Sequence, residues 1–146
     1  MSKFFVEVGS ANFETLLPLA KNGWKGIVVE PVLHLYEQCV EMFSAYDVEV
    51  VQAAISDYDG EIDFAVARDD NSWLTGCSHV IADNHLGYKL SDSPDRVGDF
   101  ENKTKVRCLT LDNLLKGVNN IDVMKVDTEG HENNIFNAYS FNIKPT

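Results

Sequence analysis

The sequence predicts an α/β domain built on a mostly parallel sheet. Three short apolar runs near the N-terminus, separated by stretches of helical periodicity, give a β-α-β-α-β order that calls for parallel strands joined by right-handed crossovers. A chain of 146 residues, 45% of them hydrophobic, is long enough for one domain with a sizeable core.

Phe4 to Val8 is apolar except for Glu7, the pattern of a strand buried on both faces. It turns at Gly9 and leads into a helix over Glu14 to Asn22, whose Leu16, Leu17, Leu19 and Ala20 form one stripe. Pro18 fits only the first turn of a helix, so the helix is expected to start late, with Thr15 as its N-cap. Gly26 to Pro31 is the second strand, Leu33 to Tyr46 the second helix, and Val48 to Ile55 the third strand. Asp59-Gly60 marks a turn, and Glu61 to Ala67 alternates like a half-exposed strand. About 69–105 reads as a polar, irregular insertion, a length that in a compact domain suits a lid or binding loop. Val106 to Leu111 returns as a strand, Asp112 to Lys116 as a short helix, Ile121 to Asp127 as a core strand and Glu129 to Tyr139 as a helix.

Charge and cysteine usage exclude several classes. A net charge of -11 with no basic cluster argues against nucleic acid and anionic membranes as partners. Cys39, Cys77 and Cys108 form no CxxC pair, so neither a disulfide framework nor a thiolate zinc site is predicted. No apolar run approaches the roughly 20 residues of a membrane helix, and no secretion signal opens the chain, so the expected compartment is the cytoplasm. Cys77, His79, Asp83 and His85 lie close together, but their spacing matches no metal motif and no metal is predicted. A lid touching substrate through His79, His85, Trp73 or Tyr88 is the preferred reading of that segment.

In an open parallel sheet, ligands bind at the carboxyl ends of the strands, beside the point where strand order reverses. The residues there are Glu7 to Asn12, Glu30, Ser56-Asp57 and Asp127 to Glu132. Glu30 lies 21 residues after Gly9 (30 − 9), near the spacing at which an acid after the second strand accepts hydrogen bonds from ribose hydroxyls. Of the G-x-G-x-x-G fingerprint for a pyrophosphate only Gly9 is present, and Glu14 would repel phosphate. A ligand with ribose and adenine but no phosphate fits better, namely S-adenosylmethionine, and Glu7 would face its ammonium group directly or through water. Lys125, inside an apolar run, is expected to pair with Asp127 or Glu7.

Glu7-Val8-Gly9-Ser10, Val29-Glu30-Pro31, Ala54-Ile55-Ser56-Asp57 followed by Gly60, Thr110-Leu111-Asp112, and Lys125 to Glu132 occur in order. Together they resemble the motif set of the FkbM-like methyltransferases over most of the chain. The resemblance implies a Rossmann-like class I methyltransferase sandwich, S-adenosylmethionine as methyl donor, and a hydroxyl of a sugar, glycan or natural product as acceptor. It implies that Glu7, Gly9 and Ser10 hold the methionine part, Glu30 the ribose, and Ser56 and Asp57 the adenine, with Asn12 a further cofactor-binding residue. Asp127, Glu129 and His131 would line the transfer side, with Glu132 a further candidate base. In the residues' own terms Glu129 and Glu132 also suit the first turn of a helix through polarity and capping alone, and His131 equally suits a solvent-facing helix position.

Two departures stand out. Phe13 occupies the place of the family's usual second glycine. The family's domain also continues past Thr146 with strands that complete the sheet, so the fold is expected to be truncated on its C-terminal side: a fragment, or a domain whose wall comes from another copy or a partner chain. The competing readings are a non-catalytic cofactor-binding module that needs such a partner and, against the missing glycines, a nucleotide-dependent oxidoreductase.

Overall fold

The computed structural model describes residues 2–10, 15–67, 78–81 and 104–146. Its elements, in order, are β1 (Phe4–Val8), α1 (Leu17–Lys21), β2 (Lys25–Val29), α2 (Leu33–Phe43), β3 (Val48–Val51), β4 (Ala54–Ile55), β5 (Gly60–Ala65), β6 (His79–Val80), β7 (Thr104–Leu109), α3 (Leu111–Leu114), β8 (Val123–Val126) and α4 (Glu132–Ala138).

The four strands β3-β2-β1-β8 form a wholly parallel sheet in that order, as the βαβ repeat predicts. Because side chains alternate across a strand, the two faces of this sheet collect different residues. Phe5 and Val28 pack with Ala20, Cys39 and Phe43 of α1 and α2 on one face. Val6, Val8, Ile27 and Val29 pack with Leu111, Leu115, Ile121, Ile135 and Tyr139, from α3, α4 and their flanks, on the other. Helices on both faces make a three-layer arrangement compatible with a Rossmann-like methyltransferase. In α2 the buried residues are Leu35, Cys39 and Phe43, one every four positions, as an amphipathic helix requires.

The third predicted strand needs correcting. Val48 to Ile55 is not continuous: β3 stays in the parallel sheet, whereas β4, after Gln52 and Ala53, pairs with β7 in a second sheet of order β4-β7-β5-β6. In this sheet β5 runs antiparallel to both β7 and β6. Its buried face, with Ala54, Ile62, Phe64, Val66, Val80 and Cys108, closes on Val32 and Leu35 at the start of α2.

Two smaller expectations also change. Leu16, not Thr15, holds the N-cap position of α1, and no side chain caps it, although the Thr15 hydroxyl accepts a 3.3 Å hydrogen bond from Leu17 N. Pro18 does lie in the first turn. The expected insertion at 69–105 contains β6, whose residues pair with Phe64 and Ala65, and its last residues begin β7. Ser78 and Ile81 flank β6, while the rest of that segment, with Trp73, Cys77, Asp83, His85 and Tyr88, lies outside the described residues, as do Asn12, Phe13 and Glu14. Among the described residues no helix is long and apolar enough to cross a membrane.

Candidate functional site

The order β3-β2-β1-β8 puts the reversal between β1 and β8, and the chain leaves both strands toward one cleft. Gly9 follows β1 with φ +77, a conformation glycine adopts at little cost. A Cβ at this position would collide with the Asp127 carbonyl, so the backbone after β1 lies directly against the end of β8. Two hydrogen bonds fix the approach, Gly9 N to Val29 O and Asp127 N to Val8 O, each 3.0 Å.

Around this junction the described residues lining the cleft are Val8, Gly9, Glu30, Pro31, Leu35, Ala53 to Ile55, Phe64, Ser78, Val80, Asp127 and Thr128. Of the predicted site residues the structure therefore brings together Gly9, Glu30 and Asp127. Glu30 is only 4% exposed, and its Oε1 accepts a 2.9 Å hydrogen bond from Val32 N just beyond Pro31. Asp127 is exposed at the mouth. No described lining residue is basic. Phe64, Ser78 and Val80 were not anticipated as site residues; they come from the second sheet and its approach, and no motif marks them.

Glu7 lies beneath the cleft rather than on it. It is fully buried, its Oε2 accepts from Leu16 N at 2.8 Å, and its Oε1 stands 3.4 Å from Lys125 Nζ on the neighbouring strand, as expected for Lys125. Burial pushes the Glu7 carboxyl up, while the Leu16 amide and Lys125 oppose the rise. Ser10 is buried beside Cys39, whose thiol burial pushes up to about 11, too high for a reactive thiolate.

The segment after β8 carries the remaining candidates. Glu129 has φ +55, a strained backbone for a residue with a Cβ, and Gly130 follows at φ +103. Although Glu129 is exposed, partial desolvation pushes its carboxyl up, with the charges of Asp127 and Glu132 adding to the rise. Burial acts the same way on Glu132, but hydrogen bonds from the Thr128 amide and hydroxyl and from Gly130 N outweigh it and hold that carboxyl below its usual range. Glu132 is thus the brace of the loop. His131 is 3% exposed, so it is not the solvent-facing histidine that its sequence position allows. Its Nε2 lies 3.0 Å from the fully buried Ser56 Oγ, which donates to Asp57 Oδ1 at 2.9 Å. Ser56 N also donates to Leu109 O, extending the pairing of β4 with β7. Glu129, His131, Ser56 and Asp57 are not among the described residues lining the cleft.

A family model described as the methyltransferase FkbM domain matches residues 7–145. No curated protein and no solved structure matches the chain.

Proposed function

We propose, on the premise that the chain belongs to the FkbM methyltransferase family, that its methyl donor is S-adenosylmethionine and its acceptor a hydroxyl of a sugar, glycan or natural product. One observation carries this reading: the buried carboxylate of Glu30 lies in the same cleft as Gly9 and Asp127, at the sheet's reversal point. A carboxylate there suits two adjacent ribose hydroxyls, to which it offers two acceptor oxygens.

The residues fit such a donor on two counts. A backbone passing without a Cβ at Gly9 leaves room for close approach. A cleft whose described lining has acids and no bases favours a cation and disfavours a pyrophosphate. When bound, the donor supplies an electrophilic methyl group on a sulfonium. The chain's own residues then orient the acceptor oxygen in line and remove its proton near the transition state. Asp127 stands at the cleft mouth for that task, and Glu129, two residues on, has a carboxyl that desolvation and the neighbouring acids push up.

Calorimetric titration with S-adenosylmethionine tests the reading, and a folded protein that gives no heat at millimolar donor would refute it. Glu30→Ala is expected to weaken binding by about 1–3 kcal/mol, the scale of hydrogen bonds to a charged group. An unaltered affinity would remove Glu30 from the ribose site.

A further inference from the structure

The Ser56 hydroxyl bonds both the His131 imidazole and the Asp57 carboxylate, yet Ser56 and His131 are buried and neither lines the cleft. Because the Ser56 hydroxyl donates its hydrogen to Asp57 Oδ1, its oxygen accepts from His131 Nε2–H. This buried chain of hydrogen bonds joins parts far apart in sequence. Ser56 follows β4 in the second sheet, and His131 ends the strained turn after β8 in the first. The turn between Asp127 and His131 is thereby fastened twice, from within by Glu132 and from the other sheet by Ser56.

We propose that His131 is a positioning residue: its hydrogen bond to Ser56 locks the 127–130 turn against the second sheet and so sets where Asp127 stands at the cleft. A buried imidazole whose Nε2 already donates to a serine holds geometry rather than taking a proton from an acceptor. The strained φ of Glu129 needs such over-determination, since a backbone in that region relaxes unless its surroundings hold it. The relevance of this lock to methyl transfer rests on the methyltransferase reading above; the lock itself does not.

Amide hydrogen exchange on the unliganded full chain tests it, followed at 127–132 and, as an internal control, in β1 and β2. His131→Leu and Ser56→Ala are each expected to speed exchange at Thr128 and Gly130 by about five- to tenfold, the equilibrium worth of one buried hydrogen bond, with β1 and β2 unchanged. His131→Gln, which can return a donor N–H to the same place, is expected to restore protection. The double variant should exchange no faster than the faster single one, because both remove the same bond. Titration of each variant with S-adenosylmethionine adds a second readout, with affinity falling for Leu and Ala and returning for Gln. If His131→Leu does not fold, Ser56→Ala, which removes a single oxygen, decides. Unchanged exchange in Ser56→Ala, or failure of His131→Gln to rescue, overturns the proposal. A wild type with the predicted exchange pattern and no affinity for S-adenosylmethionine would refute the donor reading and leave the lock standing.

Discussion

Gly9 is where a single side-chain carbon would do most damage. Its φ of +77 disfavours any L-residue, and the space a Cβ would need belongs to the Asp127 carbonyl. Gly9→Ala therefore combines backbone strain with overpacking, and is expected to cost about 2–4 kcal/mol in urea unfolding. A cost below about 0.5 kcal/mol, the scatter of ordinary surface substitutions, would mean the two strand ends are not held together there. Beneath it, Lys125→Met removes the cationic partner of a fully buried carboxylate, and is expected to cost about 2–4 kcal/mol at neutral pH because only the Leu16 amide is then left to offset the desolvation of Glu7. The sign follows from the direction of the Glu7 shift. A folded-state pKa already raised by burial rises further without Lys125, so the fold favours the protonated acid and the variant recovers as pH falls. A deficit that does not shrink on acidification would show that Glu7 is not the group responsible.

At the scale of elements, the start of α4 gives the opposite pH dependence. Glu132 has a folded-state pKa below its unfolded value of 4.5, so its contribution is present above that value and is lost as pH falls through the lowered one. Glu132→Gln is expected to cost about 1–2 kcal/mol in unfolding experiments at pH 7, and the gap to the wild type should close in acid. A pH-independent gap would assign the loss to packing. The parallel strands were legible in the sequence because β1, β2 and β8 are short apolar runs, each followed by a helix, a pattern with one economical solution. Their carboxyl ends then pointed to Gly9, Glu30 and Asp127 without further information. The break between β3 and β4 was not legible, since Val50 to Ile55 runs apolar through Gln52 with no glycine or proline to signal a change of sheet. For the same reason Phe64, Ser78 and Val80 escaped notice: they reach the cleft through antiparallel pairings of β5 with β6 and β7, which no local spacing encodes. The buried His131 likewise finds its partner in Ser56, 75 residues away.

For the molecule as a whole, one apolar cluster joins Val6, Val8, Ile27 and Val29 of the parallel sheet to Ile55 of the second sheet. The two sheets share this cluster, so equilibrium unfolding is expected to be a single transition. A ligand bound in the cleft between them should stabilise the entire chain. S-adenosylmethionine at about 100 times its dissociation constant is expected to add about 2.7 kcal/mol, seen as a higher melting temperature. NAD should leave the melt unchanged, given the net charge of -11 and the absence of basic residues among the described lining. The reverse result would favour a nucleotide-dependent oxidoreductase.

The passage from β3 to β4 also dictates where the chain tolerates a change of length. Glu30 N is tied to Val51 O on one side of Gln52 and Ala53, and Ser56 is tied to His131 on the other. The four residues from Gln52 to Ile55 thus set the spacing between Glu30 and the anchor of the 127–130 turn. Along a strand, inserting one residue turns every later side chain to the opposite face. A single insertion within β4, after Ala54, would turn Ile55 out of the core it shares with the parallel sheet and Ser56 away from its imidazole, harming both walls of the cleft at once. Length variation in relatives of this chain should therefore be absent between Val51 and Ser56, making this stretch a fixed caliper of the fold.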